Sequence, residues 1–152
     1  MTYRDPIAAE RRATRVAEIV AERRARRELA ERGPLSVDEA IAELVALGVD
    51  VETAIESEID RSLDYLVDRL AESRRLYLVA LGRLDVDSYL ADSEVEAIYS
   101  EASVALASRR RARRDREVST YIAEIESATG ESVDRETRAE LYRAIAEREA
   151  IA

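Results

Sequence analysis

This 152-residue chain has only four glycines and two prolines to interrupt a helix, and all six fall where a helix would begin or end. Asp5 followed by Pro6 reads as an N-cap with proline at the first helical position, and Gly33-Pro34 closes that segment, which predicts a first helix over about 6–32. Ser36, with Asp38 and Glu39 behind it, opens a second helix over about 37–47, with Val37, Ile41, Leu44 and Val45 on one face and a stop at Gly48. Asp50 reads as the cap of a long central helix over about 51–81, ending at Gly82. Ile55, Ile59, Leu63, Leu66, Leu70, Tyr77, Leu81 and Leu84 recur there at spacings of three, four or seven. At 1.5 Å per residue it would be about 45 Å long, more than a compact bundle of this mass requires.

Ser93 reads as the cap of a fourth helix that runs to Ala128 before Gly130. Its apolar stripe changes phase: Val95, Ile98, Tyr99, Ala102 and Leu106 share a face, while Val118, Tyr121, Ile122 and Ile125 fall more than about 100° away on a straight helix. Either the helix is bent or broken near 109–117, or its halves face different partners. Ser132 reads as the cap of a last helix over 133–152 carrying Leu141, Tyr142 and Ile145. No stretch alternates apolar and polar residues over strand length. The expectation is an all-α fold, an elongated bundle of about five helices in one domain over 1–152. The charged 6–32 helix is read as a projecting arm, because after Val20 its only apolar residues up to Arg27 are Ala21 and Ala25.

The chain is written in thirteen amino-acid types and contains no Cys, Phe, His, Lys, Asn, Gln or Trp. These types together make up roughly a fifth or more of ordinary sequence, so chance does not account for their omission. A restricted alphabet in a designed protein fits, and so does an acidic, lysine-poor bias of halophile type, which accounts for the net charge of −9 but not for losing Asn, Gln, Phe and His together. The missing types exclude much chemistry. Without cysteine there are no disulfides, thiolate nucleophiles or Cys-type metal sites. Without histidine or lysine, no serine or threonine has the base that hydrolase triads and dyads require. The expectation is therefore a non-enzyme with no cofactor and no small-molecule substrate. No apolar run reaches about 18 residues and no leader pattern is present, so the expected location is cytoplasmic, or the virion if the protein is a viral connector.

With lysine absent, every cationic side chain is an arginine, and the arginines concentrate in two copies of Arg-Arg-Ala-Arg-Arg. One supplies Arg23, Arg24, Arg26 and Arg27; the other lies within Arg109, Arg110, Arg111, Arg113, Arg114 and Arg116. Residues 34–108 between them carry five arginines against seventeen acids, so the chain alternates basic and acidic blocks. Such rows bind phosphate bidentately, which suits an arginine-rich nucleic-acid module. They are equally the faces of solvated helices laced by pairs such as Glu22 with Arg26 and Arg24 with Glu28, or surfaces that dock on the acidic middle of this chain or of a neighbouring copy. The overall negative charge and the lack of aromatics among the arginines favour the latter.

Other constellations carry less. Asp85-x-Asp87-x-Tyr89 with Glu96 falls short of a calcium loop, since Leu90 stands where glycine is needed. Glu52, Glu56, Asp60 and Asp64 share one helical spacing but lack the histidines of helical carboxylate metal sites. The seven tyrosines sit mostly on apolar stripes and are expected as core aromatics whose hydroxyls reach the surface. The functional expectation is a structural protein that self-associates or joins a multi-subunit particle through the ten arginines named above, with a homo-oligomer or larger protein assembly as partner.

Overall fold

A computed structural model describes residues 5–53 and 55–151, with the side chain of Ile151 outside the description. The described residues form five helices and no strand: α1 (Pro6–Arg32), α2 (Val37–Ala46), α3 (Glu56–Ala80), α4 (Asp92–Thr129) and α5 (Arg135–Ile151). The fold is all-α, a bundle, as the periodicity predicts. α1 begins as expected, with the Asp5 carboxylate accepting the Ile7 amide and proline in the first turn. α2 opens on a complete capping box, in which Ser36 accepts from the Glu39 amide and Glu39 from the Ser36 amide. Gly130 ends α4 in the left-handed conformation (φ 71°) that favours glycine.

Three helix starts differ from expectation. α3 begins at Glu56, not near 51, because Asp50 caps a turn instead: its carboxylate accepts the Glu52 amide at 3.0 Å, and Thr53 Oγ1 accepts the Ile55 amide at 3.2 Å. Two competing side-chain caps hold residues 50–53 out of the helix, so Glu52 stands on a turn and does not share a helical row with Glu56. α4 begins at Asp92 with Ala91 at the N-cap and no side-chain cap, not at Ser93. For α5 the Thr137 amide donates to the Asp134 carboxylate at 2.8 Å, so Asp134 takes the role expected of Ser132. The longest helix is α4, 38 residues or about 57 Å, rather than α3 with 25.

The chain divides into two compact units. One comprises residues 36–71 and 91–152, the other residues 1–35 and 72–90. In the first, α4 packs against both α2 and α5. Val118 and Ile122 of its second half bury against Ile145 of α5, with Val133, Leu141 and Tyr142 around them. Ile98, Ala102 and Leu106 form the buried stripe of its first half. Apolar residues are thus buried on both sides of the phase change, and α4 is a continuous α-helix across 109–117. α2 contributes Ala40, Ile41 and Leu44, and α3 contributes Leu63, Leu66 and Leu70.

Every buried apolar residue among the described ones belongs to this unit. In the other unit Ser73 is the buried side chain, and its Oγ accepts the Leu35 amide at 2.8 Å just beyond α1. Arg75 there clasps Glu72 and donates to the Val86 carbonyl at 2.9 Å. The tyrosines meet the expectation in part: Tyr142 packs against the Val118, Ile122 and Ile145 cluster, and Tyr65 and Tyr77 are half-buried. None of the described six is buried; Tyr89, Tyr99 and Tyr121 are exposed, and Tyr3 lies outside the described residues. With charged groups within reach, phenol hydroxyls bind at the rim: Tyr142 donates to Asp115 at 2.9 Å and Tyr65 to Glu43 at 3.4 Å.

Candidate interaction surfaces

The two arginine pentapeptides, identical in sequence, have different surroundings. The second lies mid-way along α4, where the turn at 50–53 and the end of α5 bring carboxylates to it. Arg116 reaches both carboxylate oxygens of Glu52 at 2.8 Å. Arg113 reaches Asp50 at 3.5 Å and the Glu52 carbonyl at 3.2 Å. Arg109 pairs with Asp38 of α2 at 3.6 Å, and Arg114 pairs with Glu149 of α5. Arg148 of α5 answers with Glu117 of α4. Asp50, Glu52, Arg113, Glu117, Arg148 and Glu149 surround a cavity of about 310 Å³ whose charges are matched within one unit. The same arginines that read as interaction residues therefore hold α4 to the acidic middle of the chain and to α5.

Arg110 and Arg111 are the exceptions in this cluster. They line a smaller cleft of about 240 Å³ with Arg114 and Glu149, and neither has an ion-pair partner among the described residues. The Nε of Arg110 and the Nε of Arg114 are buried without an acceptor.

The first pentapeptide stands on α1, a 27-residue helix with no buried residue. Arg23, Arg24, Arg26 and Arg27 are all exposed, and among the described residues none makes an ion pair or side-chain hydrogen bond. The pairs expected at spacing four, Glu22 with Arg26 and Arg24 with Glu28, do not form. Arg15 and Glu18 pair on α1 at 3.2 Å. Val16 and Val20, two turns before Arg23 and Arg27 on the same stripe, are 59% and 51% exposed.

Other groups show local structural roles. The hydrogen bond from Arg75 holds the Glu72 carboxyl below the usual glutamate range, and the Thr137 amide does the same for Asp134. Asp115 accepting its hydroxyl pushes Tyr142 above the usual phenol range. Asp85 sits in a turn closed by the Ser88 amide on its carbonyl at 3.0 Å. Among the described residues no three carboxylates converge as metal ligands would, and no helix is long and apolar enough to cross a membrane.

The contrast between the pentapeptides was not legible from the arginines themselves. Its signal lies elsewhere, in Asp50 and Thr53, which cap a turn and so present Glu52 to α4. Comparison with protein families, with curated proteins and with solved structures finds no match to this chain.

Proposed function

We propose that the chain is a non-catalytic helical assembly protein, self-associating or seated in a multi-subunit particle, with α1 as its docking element. One observation carries this reading: α1 is 27 residues long and buries none of them. Helices draw most of their stability from a packed apolar face, and an isolated helix is marginal in water. A long helix with exposed valines and four unpaired guanidiniums gains that packing when another protein covers it.

Molar mass by light scattering at low and high salt tests the reading. A mass at a multiple of 17.1 kDa is expected; a monomer at both salts overturns it. The unpaired guanidiniums of α1 also favour a second reading, nucleic-acid binding. That activity would appear as affinity for a generic oligonucleotide falling steeply and linearly on a logarithmic salt scale.

A further inference from the structure

A groove of about 520 Å³ lies between the end of α2 and the first turns of α3. One wall is apolar, formed by Leu44, Leu47 and Val49, and Leu47 is 68% exposed. The other wall is polar and belongs to α3. Glu58 is exposed there without an ion-pair partner among the described residues, and the Ser62 hydroxyl is buried with no hydrogen-bond partner. Buried polar atoms without partners are uncommon in folded proteins, and this one lines an open groove. Asp50 at the rim is already engaged by Arg113, and Arg61 is the single cation of the lining. Elsewhere on the first half of α3, Glu56, Asp60, Asp64 and Asp68 are exposed and make no ion pair among the described residues.

A side chain suited to this groove has an aliphatic stem to cover Leu47 and Val49 and a cationic head for the exposed Glu58 carboxylate. Arginine has that form, since its methylenes pack on apolar surface while the guanidinium donates in several directions. The chain supplies unpaired arginines at the matching spacing. Arg23 and Arg27 lie one turn apart on α1 and continue the stripe of Val16 and Val20. Resting on the assembly role proposed above, we propose that the groove between α2 and α3 receives the Arg23–Arg27 row of α1 from a second copy of the chain, a helix-in-groove contact. Charge complementarity commits the occupant: Arg23, Arg24, Arg26 and Arg27 of α1 make no ion pair among the described residues, and the first half of α3 carries five unpaired carboxylates (Glu56, Glu58, Asp60, Asp64 and Asp68) against the one guanidinium of Arg61.

A complementation experiment tests this on full-length chains. Arg23→Glu/Arg27→Glu spoils the docking helix at exposed positions, and Glu58→Arg spoils the groove. Leu47→Arg is a second groove variant, and circular dichroism confirms helix content for each. Each variant alone is expected to raise the self-dissociation constant by about tenfold or more. Mixing the helix variant with either groove variant should restore a heterodimer, because one intact helix then meets one intact groove. Variants that associate as the parent does overturn the docking site and leave the assembly reading standing. Variants that stay monomeric in the mixture overturn docking between copies. A parent chain that is monomeric at every concentration and salt overturns the assembly reading on which this site rests.

Discussion

Replacing arginine by glutamine at Arg109, Arg113, Arg114 and Arg116, and in a separate variant at Arg23, Arg24, Arg26 and Arg27, removes four positive charges each time at little cost in helix propensity. The environments differ, and so should the stabilities. Arg109 and Asp38 have side chains 42% and 86% exposed, so that pair contributes close to nothing. Arg113–Asp50 and Arg116–Glu52 are partly screened and contribute about 0.2–1 kcal/mol each. Arg114 and Glu149 are 35% and 22% exposed, and this less hydrated pair contributes about 1–1.5 kcal/mol. The second-cluster variant should therefore lose about 2–3 kcal/mol, and the first-cluster variant less than about 0.5 kcal/mol. With a urea slope of about 1–3 kcal/mol per molar, the midpoint of the second-cluster variant should fall by about 1 M or more. Urea titration followed by circular dichroism, at a concentration low enough to suppress association, reads the difference, and about 1 M salt should shrink it. Equal midpoints for the two variants, or a larger loss in the first-cluster variant, would refute the assignment of the second cluster as an internal clamp.

Other outcomes follow from single contacts. Ile145→Ala should cost about 2–4 kcal/mol by urea unfolding, because Ile145 is 4% exposed against Val118 and Ile122. Val104→Ala, 70% exposed on the same α4, should stay within about 0.5 kcal/mol of the parent. Gly130→Ala should lose about 1–2 kcal/mol from backbone conformation alone, since an added Cβ meets nothing within 4 Å; a neutral result would mean that α4 ends differently. Stability should be flat from about pH 5 to 9, because no histidine titrates there. Glu72 and Asp134 have lowered pKa values, so their contributions are complete above the ordinary carboxylate range and are lost as pH falls below about 4. Tyr142 is raised, so its contribution is complete below about pH 10 and is lost above its folded value. A step near neutrality in the urea midpoint would refute the flat profile, and a midpoint unchanged from about pH 5 to about pH 2 would contradict the two carboxylate assignments.

The helices were legible where backbone chemistry decides. Pro6 at a helix start and glycines at 33, 48, 82 and 130 punctuate the chain because few other residues tolerate those positions, and the apolar spacings between them repeat at helical period. The start of α3 was less legible. Asp50 is a good cap in either a helix or a turn, and the choice fell to Thr53, whose hydroxyl accepts the Ile55 amide and holds the chain out of the helix for one more turn. The tyrosines were legible in part: Tyr142 and Tyr65 sit half-buried with their hydroxyls on Asp115 and Glu43, whereas Tyr89, Tyr99 and Tyr121, which a stripe position would place in the core, are exposed.

The turn at Asp50 also decides the fate of the arginines. A helix starting at 51 would have aligned Glu52 with Glu56 and Asp60 on one row of α3. In the turn, Glu52 instead offers its carbonyl to Arg113 and its carboxylate to Arg116, while the same Nη1 of Arg113 also reaches the Asp50 carboxylate. The local competition between two caps thus converts one arginine pentapeptide into a clamp within the fold. The other faces no such turn and keeps its charges free. A substitution at Thr53 that let α3 extend backward would withdraw Glu52 from Arg116, so Thr53→Ala should weaken the second cluster without touching an arginine. Its effect should be non-additive with Arg116→Gln in a double-mutant cycle, by about 0.5 kcal/mol or more. Strict additivity would mean that Thr53 and the clamp are independent.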